Sequence, residues 1–532
     1  MPAQIASPGL TWGPVRRLAA ARSCGVAQPE QGPLGPEVES EKVQSALRLA
    51  RAQLGELAQD GSSLAADLLA FQIALTEDAE LTRPALVAIA AGEDAGRAWR
   101  GALDTEIDAY RRSGDEYFAQ RAQDLVDLRD RVSSLIDGAL TPPPPQEGSI
   151  LVVDELTPSR FLEVDWKRYA GVVSSAGGIT SHVAMLARAR GVPMLIGPKV
   201  SSVDTDGGTP AILDAVLGVL ILDPEPATFV SCAGRRRARA GNAAAALSAA
   251  TAPAISANGV PVAVYLNVDD PGRLAAVSPD LCDGIGLTRT EFLFRAGEAL
   301  PDEEAQLRIY RQLLDWAGGR PVTIRTLDAG GDKPIPGLTP EGEQNPFLGV
   351  RGLRLSLRRP EIFAVQLRAL ARAAPSGNLK VMVPMVTRPE ELAAARMMMV
   401  REVEALTARG IAAAMPAFGM MVEVPAAALT AADFAADFLS IGTNDLLQYL
   451  AAAGRDRAEL ADLQDPLQPA MLAVIAQVAA AGRARGVEVS VCGEMAGLPH
   501  CVPALLKAGI RALSVAATAA PAVKAAIRAA ET

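Results

Sequence analysis

Histidine is nearly absent: the chain holds two, His182 and His500, in 532 residues. Any chemistry that needs an imidazole is therefore confined to two short stretches. Five cysteines, an odd number at positions 24, 232, 282, 492 and 501, offer neither a paired disulfide framework nor a Cys-x-x-Cys metal pair, and the expected setting is a reducing cytoplasm. No run reaches the roughly 18 uninterrupted apolar residues of a membrane span. The N-terminus lacks a basic stretch leading into an apolar core, so no signal peptide is expected. Positive charge is not in excess, and a formal net charge of -10 argues against a nucleic-acid surface. The short run Arg235-Arg236-Arg237 does not alter that, since no aromatic residues are interleaved with it for base stacking. What is left, 49% hydrophobic and 21% charged, is globular, with room for about three domains.

Apolar spacing divides the chain. Ile5 to Leu10 reads as a strand and turn. From about Glu37 the pattern becomes helical: Val43, Leu47, Ala50, Leu54 and Leu57 form one stripe, Leu64, Leu68, Phe71 and Leu75 a second, and Leu125, Leu128, Val132 and Leu135 a third. Breaks near Gly61 and Gly92 favour a bundle over a coiled coil. Pro142 to Pro145 form a stiff spacer. Short strands follow at Ile150–Val153, Gly171–Ser175, Ala211–Leu213 and Gly218–Leu222. The expected organisation is a compact α/β domain at 1–35 and 147–230, an inserted helical bundle at 36–141, a polar linker helix at 231–252, and a last domain at 253–532. That last domain carries eight strand candidates: Val262–Val268, Gly284–Leu287, Val322–Thr326, Lys380–Pro384, Gly419–Val424, Phe438–Ile441, Val487–Val491 and Ala512–Val515. Each is followed by a helical stretch, which fits a TIM (β/α)8 barrel. A doubly wound open sheet is the alternative, but no dinucleotide glycine fingerprint is present.

His182 stands at a focal point. The run Gly177-Gly178-Ile179-Thr180-Ser181-His182 leads from a strand into a helix that Gly191-Val192-Pro193 should stop. The glycine pair lets backbone approach a ligand, Thr180 and Ser181 can cap the helix, and a helix N-terminus favours anions.

Polar residues also gather where the barrel strands end. They include Arg289 after the second strand, Arg325 at the end of the third, then Lys333 and Arg351, Glu423 on the fifth, Asn444 and Asp445 after the sixth with Arg455 beyond, and Cys492 after the seventh. Arginines recognise phosphate and carboxylate with two-pronged hydrogen bonds. Glu423 and Asp445, on adjacent strands, are the oxygen ligands that Mg²⁺ takes. A thiol on the same rim can give up a proton. The residues alone therefore describe an anion site with a metal. His500, beside Cys501, reads as incidental.

The His182 block resembles the phosphohistidine swivel domain of the PEP-utilising enzymes. Gly-x-x-Arg-Thr-Glu-Phe-Leu-Phe, Arg-Thr-x-Asp-x-Gly-Gly-Asp-Lys, Asn-Pro-Phe-Leu-Gly, Met-Val-Glu-x-Pro, Ser-Ile-Gly-Thr-Asn-Asp-Leu and Cys-Gly-Glu-x-Ala-Gly are similar to the blocks of their phosphoenolpyruvate-binding barrel. With an early Ala-Ser-Pro-Gly, nearly the whole chain resembles the enzyme I family of the phosphotransferase system. Dikinase and synthase relatives carry a nucleotide domain before the swivel, and the helical stretch here has no such glycine-rich loop. The resemblance implies phosphoryl transfer from phosphoenolpyruvate to His182 and then to a histidine of the carrier protein HPr, which docks on the helical insert. Arg289, Arg325, Asn444, Asp445 and Arg455 would bind substrate, Glu423 and Asp445 would hold Mg²⁺, Cys492 would protonate the departing enolate, and Lys333 and Arg351 would support. A homodimer through the barrel is implied as well. Ile179 and Gly454 depart from the family pattern, and the chain ends sooner after Cys492 than many relatives, which puts dimer strength in doubt. The pathway stays open: sugar uptake, nitrogen regulation or dihydroxyacetone phosphorylation. A small-molecule phosphotransferase and a phosphate-holding sensor are the rival classes.

Overall fold

The computed structural model describes residues 3–17, 35–60, 63–112, 116–138, 147–178, 181–197, 208–294, 300–331, 333–340, 342–454 and 458–532. Arg455, Ile179, Thr180, Cys24 and the Pro142–Pro145 spacer lie outside the described residues, as do the side chains of Leu64 and Leu68. The chain divides into two compact units, residues 1–237 and 238–532.

The first unit is built on a seven-stranded sheet. Its strands are β1 (Gln4–Ser7), β2 (Leu10–Arg17), β3 (Ser149–Val153), β4 (Tyr169–Ser174), β5 (Met194–Ile196), β6 (Pro210–Asp214) and β7 (Val219–Leu222), in the order β1-β5-β4-β3-β2-β6-β7. β2 to β5 run parallel, while β1, β6 and β7 pair antiparallel. β3 shows why both faces must be covered, since all five of its residues are buried. Alternation sends Ile150 and Val152 into one apolar cluster and Leu151 and Val153 into another.

Five helices stand between β2 and β3: α1 (Pro36–Asp60), α2 (Ser63–Leu75), α3 (Ala79–Ala90), α4 (Ala95–Arg112) and α5 (Glu116–Ile136). The bundle therefore follows two strands, not the single strand expected from sequence. The α1 stripe serves two cores. Val43, Leu47 and Ala50 pack with Trp99, Leu125 and Val132 of the bundle, whereas Leu54 joins the core of the sheet domain. A buried polar knot ties the same elements together. Asp127 of α5 accepts from Gln72 Nε2 (2.9 Å), Thr157 Oγ1 (2.8 Å), Ser159 N (3.1 Å) and Ser159 Oγ (2.7 Å). Thr157 immediately precedes α6 (Pro158–Glu163), whose Glu163 pairs with Arg131 of α5.

After α7 (His182–Arg190) comes α8 (Pro226–Ser248), which starts earlier than the expected linker because Pro226 opens it at a position where a missing N–H costs nothing. Two of its three clustered arginines are used inside the unit. Arg235 donates to buried Asp214 at 2.7 Å, and Arg236 lies 3.7 Å from the Trp12 ring.

The second unit is a closed parallel barrel of β8 (Ala263–Val268), β9 (Ile285–Thr288), β10 (Val322–Arg325), β11 (Leu379–Val383), β12 (Ala417–Val422), β13 (Phe438–Ile441), β14 (Glu488–Val491) and β15 (Ala512–Val515). All eight expected strands are present, and β15 pairs with β8 to close the ring. One expectation fails: β8 is followed by 3₁₀ turns at Pro271–Ala276 and Pro279–Leu281 in place of an α-helix. Two prolines and a glycine in that short span break the α-helical hydrogen-bond ladder. Among the described residues no helix is long and apolar enough to cross a membrane, and the four described cysteines are free.

Candidate active site

The eight barrel strands run parallel, so the polar groups that follow β9, β10, β12 and β13 share one rim. Arg325, the last residue of β10, is 3% exposed. Its Nη2 donates to Glu291 Oε1 at 2.7 Å, its Nη1 lies 3.1 Å from Asp328 Oδ2, and Nη1 also reaches the Met421 sulfur at 3.7 Å. Glu291 in turn accepts from Asp328 N at 3.0 Å. Arg351 is fully buried and bridges two strand ends. Its Nε and Nη2 donate to Asp328 at 3.3 and 2.9 Å, and its Nη1 and Nη2 donate to Asp445 at 3.1 and 3.4 Å. Lys333 Nζ stands 3.9 Å from Asp328.

Charge explains the protonation of this cluster. Burial works against the charges on Arg325 and Arg351, but carboxylates on both sides hold each guanidinium well above its ordinary range. Burial likewise opposes the Asp328 carboxylate, and Arg325 and Arg351 outweigh it, holding Asp328 well below the usual range. Glu423 differs. Burial, with Asp445 and Asp328 nearby, pushes its carboxyl up to about 8. Glu423 Oε1 accepts from Met385 N at 2.7 Å, and Met385 holds φ of 58°, a costly left-handed backbone for a residue with a side chain.

The donor set fits a divalent cation. Glu291, Asp328, Glu423 and Asp445 supply four carboxylates against the two buried guanidiniums of Arg325 and Arg351, with half-buried Lys333 at the edge. Among the described residues no group of three or more His, Cys, Asp or Glu is arranged as a protein-only cage. Mg²⁺ ordinarily takes one or two protein carboxylates and completes its shell with water and substrate oxygens.

Five buried side-chain atoms at these strand ends have no hydrogen-bond partner: Thr288 Oγ1, Glu291 Oε2, Arg325 Nε, Thr326 Oγ1 and Thr443 Oγ1. Buried polar groups are ordinarily satisfied, so their gathering at one rim marks a polar ligand site. Tight backbone approach shapes it as well. A Cβ on Gly493 would fall 1.8 Å from Thr443 Oγ1 and 2.9 Å from Asn444 Oδ1, and one on Gly442 would fall 2.9 Å from Glu423 Oε2.

The remaining expected residues are placed unevenly. Asn444 is half-buried and its Oδ1 accepts from Glu494 N at 2.9 Å. Arg289 is more exposed and pairs with Asp269 at 2.8 Å. Cys492 lies deeper, 2% exposed on the inner wall with Leu287, Met382, Met421 and Phe438. Its thiol donates to Ile441 O at 3.5 Å, and burial pushes it up to about 11. His500 is exposed and Cys501 is buried, away from these groups in the chain. Glu291, Asp328 and Met385 were given no role from sequence, although the first two stand inside the same strand-end blocks as Arg289 and Arg325.

In the first unit, His182 is the first residue of α7 and half-buried. Ser181 caps the helix, its Oγ accepting from Ala184 N at 3.3 Å, and Gly191 closes it at φ 65°. Gly177 adopts φ of 110°, which a side chain would resist. Arg188 Nη1 donates to Ala6 O at 2.7 Å and pins the helix to β1.

Family models place this architecture. The PEP-binding domain of PEP-utilising enzymes matches residues 243–532, their mobile domain matches 145–218, and their N-terminal region matches 3–121. The chain belongs to the PEP-utilising enzyme family. The phosphoenolpyruvate-protein phosphotransferase of Haloferax volcanii is 40% identical over 463 residues, covering 85% of this chain and 79% of that protein. That of Bacillus subtilis (strain 168) is 36% identical over 471 residues, covering 87% and 82%. Within the family, the chain is thus a transferase of the enzyme I type. A solved N-terminal domain of Enzyme 1 - Nitrogen is 26% identical, spans 43% of this chain and 96% of its own, and has a TM-score of 0.33.

Proposed function

We propose that the protein transfers the phosphoryl group of phosphoenolpyruvate to His182 and then to a histidine of an HPr-type carrier protein, releasing pyruvate. Residues 253–532 act as the phosphoenolpyruvate-binding barrel, 1–35 with 147–230 as the domain that carries His182, 36–141 as the carrier-docking insert, and 231–252 as the linker. The observation that carries this reading is the buried Arg325–Asp328–Arg351 cluster, surrounded by unpartnered polar atoms at the mouth of the barrel.

Phosphoenolpyruvate is a compact polyanion, and Arg289, Arg325, Asn444 and Arg455 offer donors for its phosphate and carboxylate, with Lys333 and Arg351 in support. Glu423 and Asp445 would hold Mg²⁺, which when bound offsets charge on the phosphoryl oxygens. The neutral His182 imidazole attacks phosphorus, an N–P bond forms, and the bond from phosphorus to the enol oxygen breaks. Ser181, by fixing the start of α7, limits the orientations of the ring, and positioning of this kind is a main source of rate in phosphoryl transfer. The electron pair leaves as the enolate of pyruvate. Cys492 gives its proton to the enolate carbon and regains one from solvent, a role that suits a thiol kept protonated at neutral pH. Phospho-His182 then passes its group to the carrier. The protein works as a cytoplasmic homodimer through its barrel.

With Mg²⁺, phosphoenolpyruvate and purified HPr-type carriers, pyruvate should appear at a rate that depends on carrier, and His182→Ala should abolish it. Equal pyruvate formation by His182→Ala would overturn the reading.

A further inference from the structure

We propose that Arg351 is a placeholder cation: it holds Asp445 until a divalent ion claims that carboxylate, and Asp328 then retains the released guanidinium beside the substrate anion. The inference rests on the reading that Glu423 and Asp445 receive the metal. Three observations and one electrostatic argument point to it. Arg351 is completely buried, yet its bonds are divided between carboxylates on two different strand ends, Asp328 after β10 and Asp445 after β13. Its contacts to Asp445, at 3.1 and 3.4 Å, engage both carboxylate oxygens of a residue that a metal ion must approach. A dication and a guanidinium on one buried carboxylate repel each other, so a bound dication weakens the guanidinium's hold on it. Asp328 already offers the guanidinium a second partner, at 2.9 and 3.3 Å.

The backbone around Arg351 is built for close packing of its stem. Gly330 and Gly331 take φ of 108° and 65°, and a Cβ on Gly330 would fall 2.6 Å from Arg351 Cβ. This assigns a part to the Gly-Gly pair of the strand-end block. Arg351 is then a positioning residue with two states. Without metal it neutralises Asp445 and Asp328 together. With metal, the edge that faced Asp445 is free to donate to an anion. The metal and the anionic substrate should therefore bind cooperatively, because the anion stabilises the guanidinium that the metal displaces.

Mn²⁺ binding tests this without reliance on turnover. In a His182→Ala background, where phosphoenolpyruvate is not consumed, free Mn²⁺ is followed by electron paramagnetic resonance with and without phosphoenolpyruvate. The parent should bind Mn²⁺ weakly alone and more tightly with phosphoenolpyruvate. Arg351→Gln should bind Mn²⁺ alone more tightly, by roughly 5–150-fold, the usual range of coupling between sites, and should lose most of the enhancement. Asp328→Asn should act in the opposite sense, weakening Mn²⁺ binding, because Arg351 is left with Asp445. Should Arg351→Gln not fold, Arg351→Lys keeps the same sign, since a single ammonium cannot span both carboxylates. Arg351→Gln and Arg351→Lys that bind Mn²⁺ alone no more tightly than the parent would overturn the placeholder and leave a structural role. A parent that binds no Mn²⁺ even with phosphoenolpyruvate would overturn the metal reading, and the placeholder with it.

Discussion

Cys492 should stay a thiol far into the alkaline range. Burial pushes it up to about 11, against about 8.5 for a free cysteine. At pH 8 those values leave about one Cys492 in a thousand as thiolate, compared with about one in four for an unfolded chain. The perturbation is pH itself, and the assay is iodoacetamide alkylation followed by peptide mass mapping between pH 7 and 10.5. The rate measures access as well as ionisation, so the midpoint of its pH dependence is the diagnostic quantity. In the native protein alkylation of Cys492 should still be rising steeply at pH 10, whereas in urea it should pass its midpoint at about pH 8.5 and be close to its plateau by about pH 10. A native midpoint close to 8.5 would refute the burial argument and, with it, the reason for choosing this thiol as the proton donor. If the donor role is right, Cys492→Ala should lower pyruvate formation by roughly 10²–10⁴-fold, the usual span for a positioned acid.

Three further outcomes follow from the geometry. Gly493→Ala would drive a methyl into Thr443 and Asn444, so it should lower stability by about 1–3 kcal/mol and weaken phosphoenolpyruvate binding, as measured by urea unfolding and by equilibrium titration. Glu423, with its carboxyl raised to about 8 in the metal-free protein, favours folding fully only below its unfolded value near 4.3, and that contribution is lost as pH rises towards 8. In EDTA the melting temperature should therefore fall between pH 5 and 8, and Glu423→Gln should flatten that slope. Asp127→Ala strands four donors in the knot between α5 and α6, so it should destabilise the first unit by about 1–3 kcal/mol for each donor that stays buried without an acceptor, and expose the joint to limited proteolysis.

The barrel was legible because its strands are short apolar runs between glycine, proline and charge. Phe438–Ile441 and Ala512–Val515 match to the residue. β2 was not legible, because Gly13 and Pro14 argue against a strand. The fold explains both: a Cβ on Gly13 would fall 1.9 Å from Gly148 O, and Pro14 lies opposite Pro210 at the end of the β2–β6 pairing. β5 has only three residues, too few for any alternation to show. The helix that begins at His182 could be read from its cap and its stop, which are local signals. Within the barrel site, residue type and strand end were readable but pairing was not. Arg351 meets Asp445 across 94 positions of sequence, and nothing near either residue specifies the other. The role of Glu291 is set by such distant partners, as is the left-handed turn at Met385, while Asp328 joins its near neighbour Arg325 to Arg351, 23 positions away.

Incubation with Mg²⁺ and ³²P-labelled phosphoenolpyruvate, followed by peptide mapping, tests the central claim most directly. The account predicts acid-labile, base-stable label on the peptide that contains His182, lost in His182→Ala and chased onto an added HPr-type carrier. Label on any other residue, or none while phosphoenolpyruvate remains bound at the barrel, would contradict it.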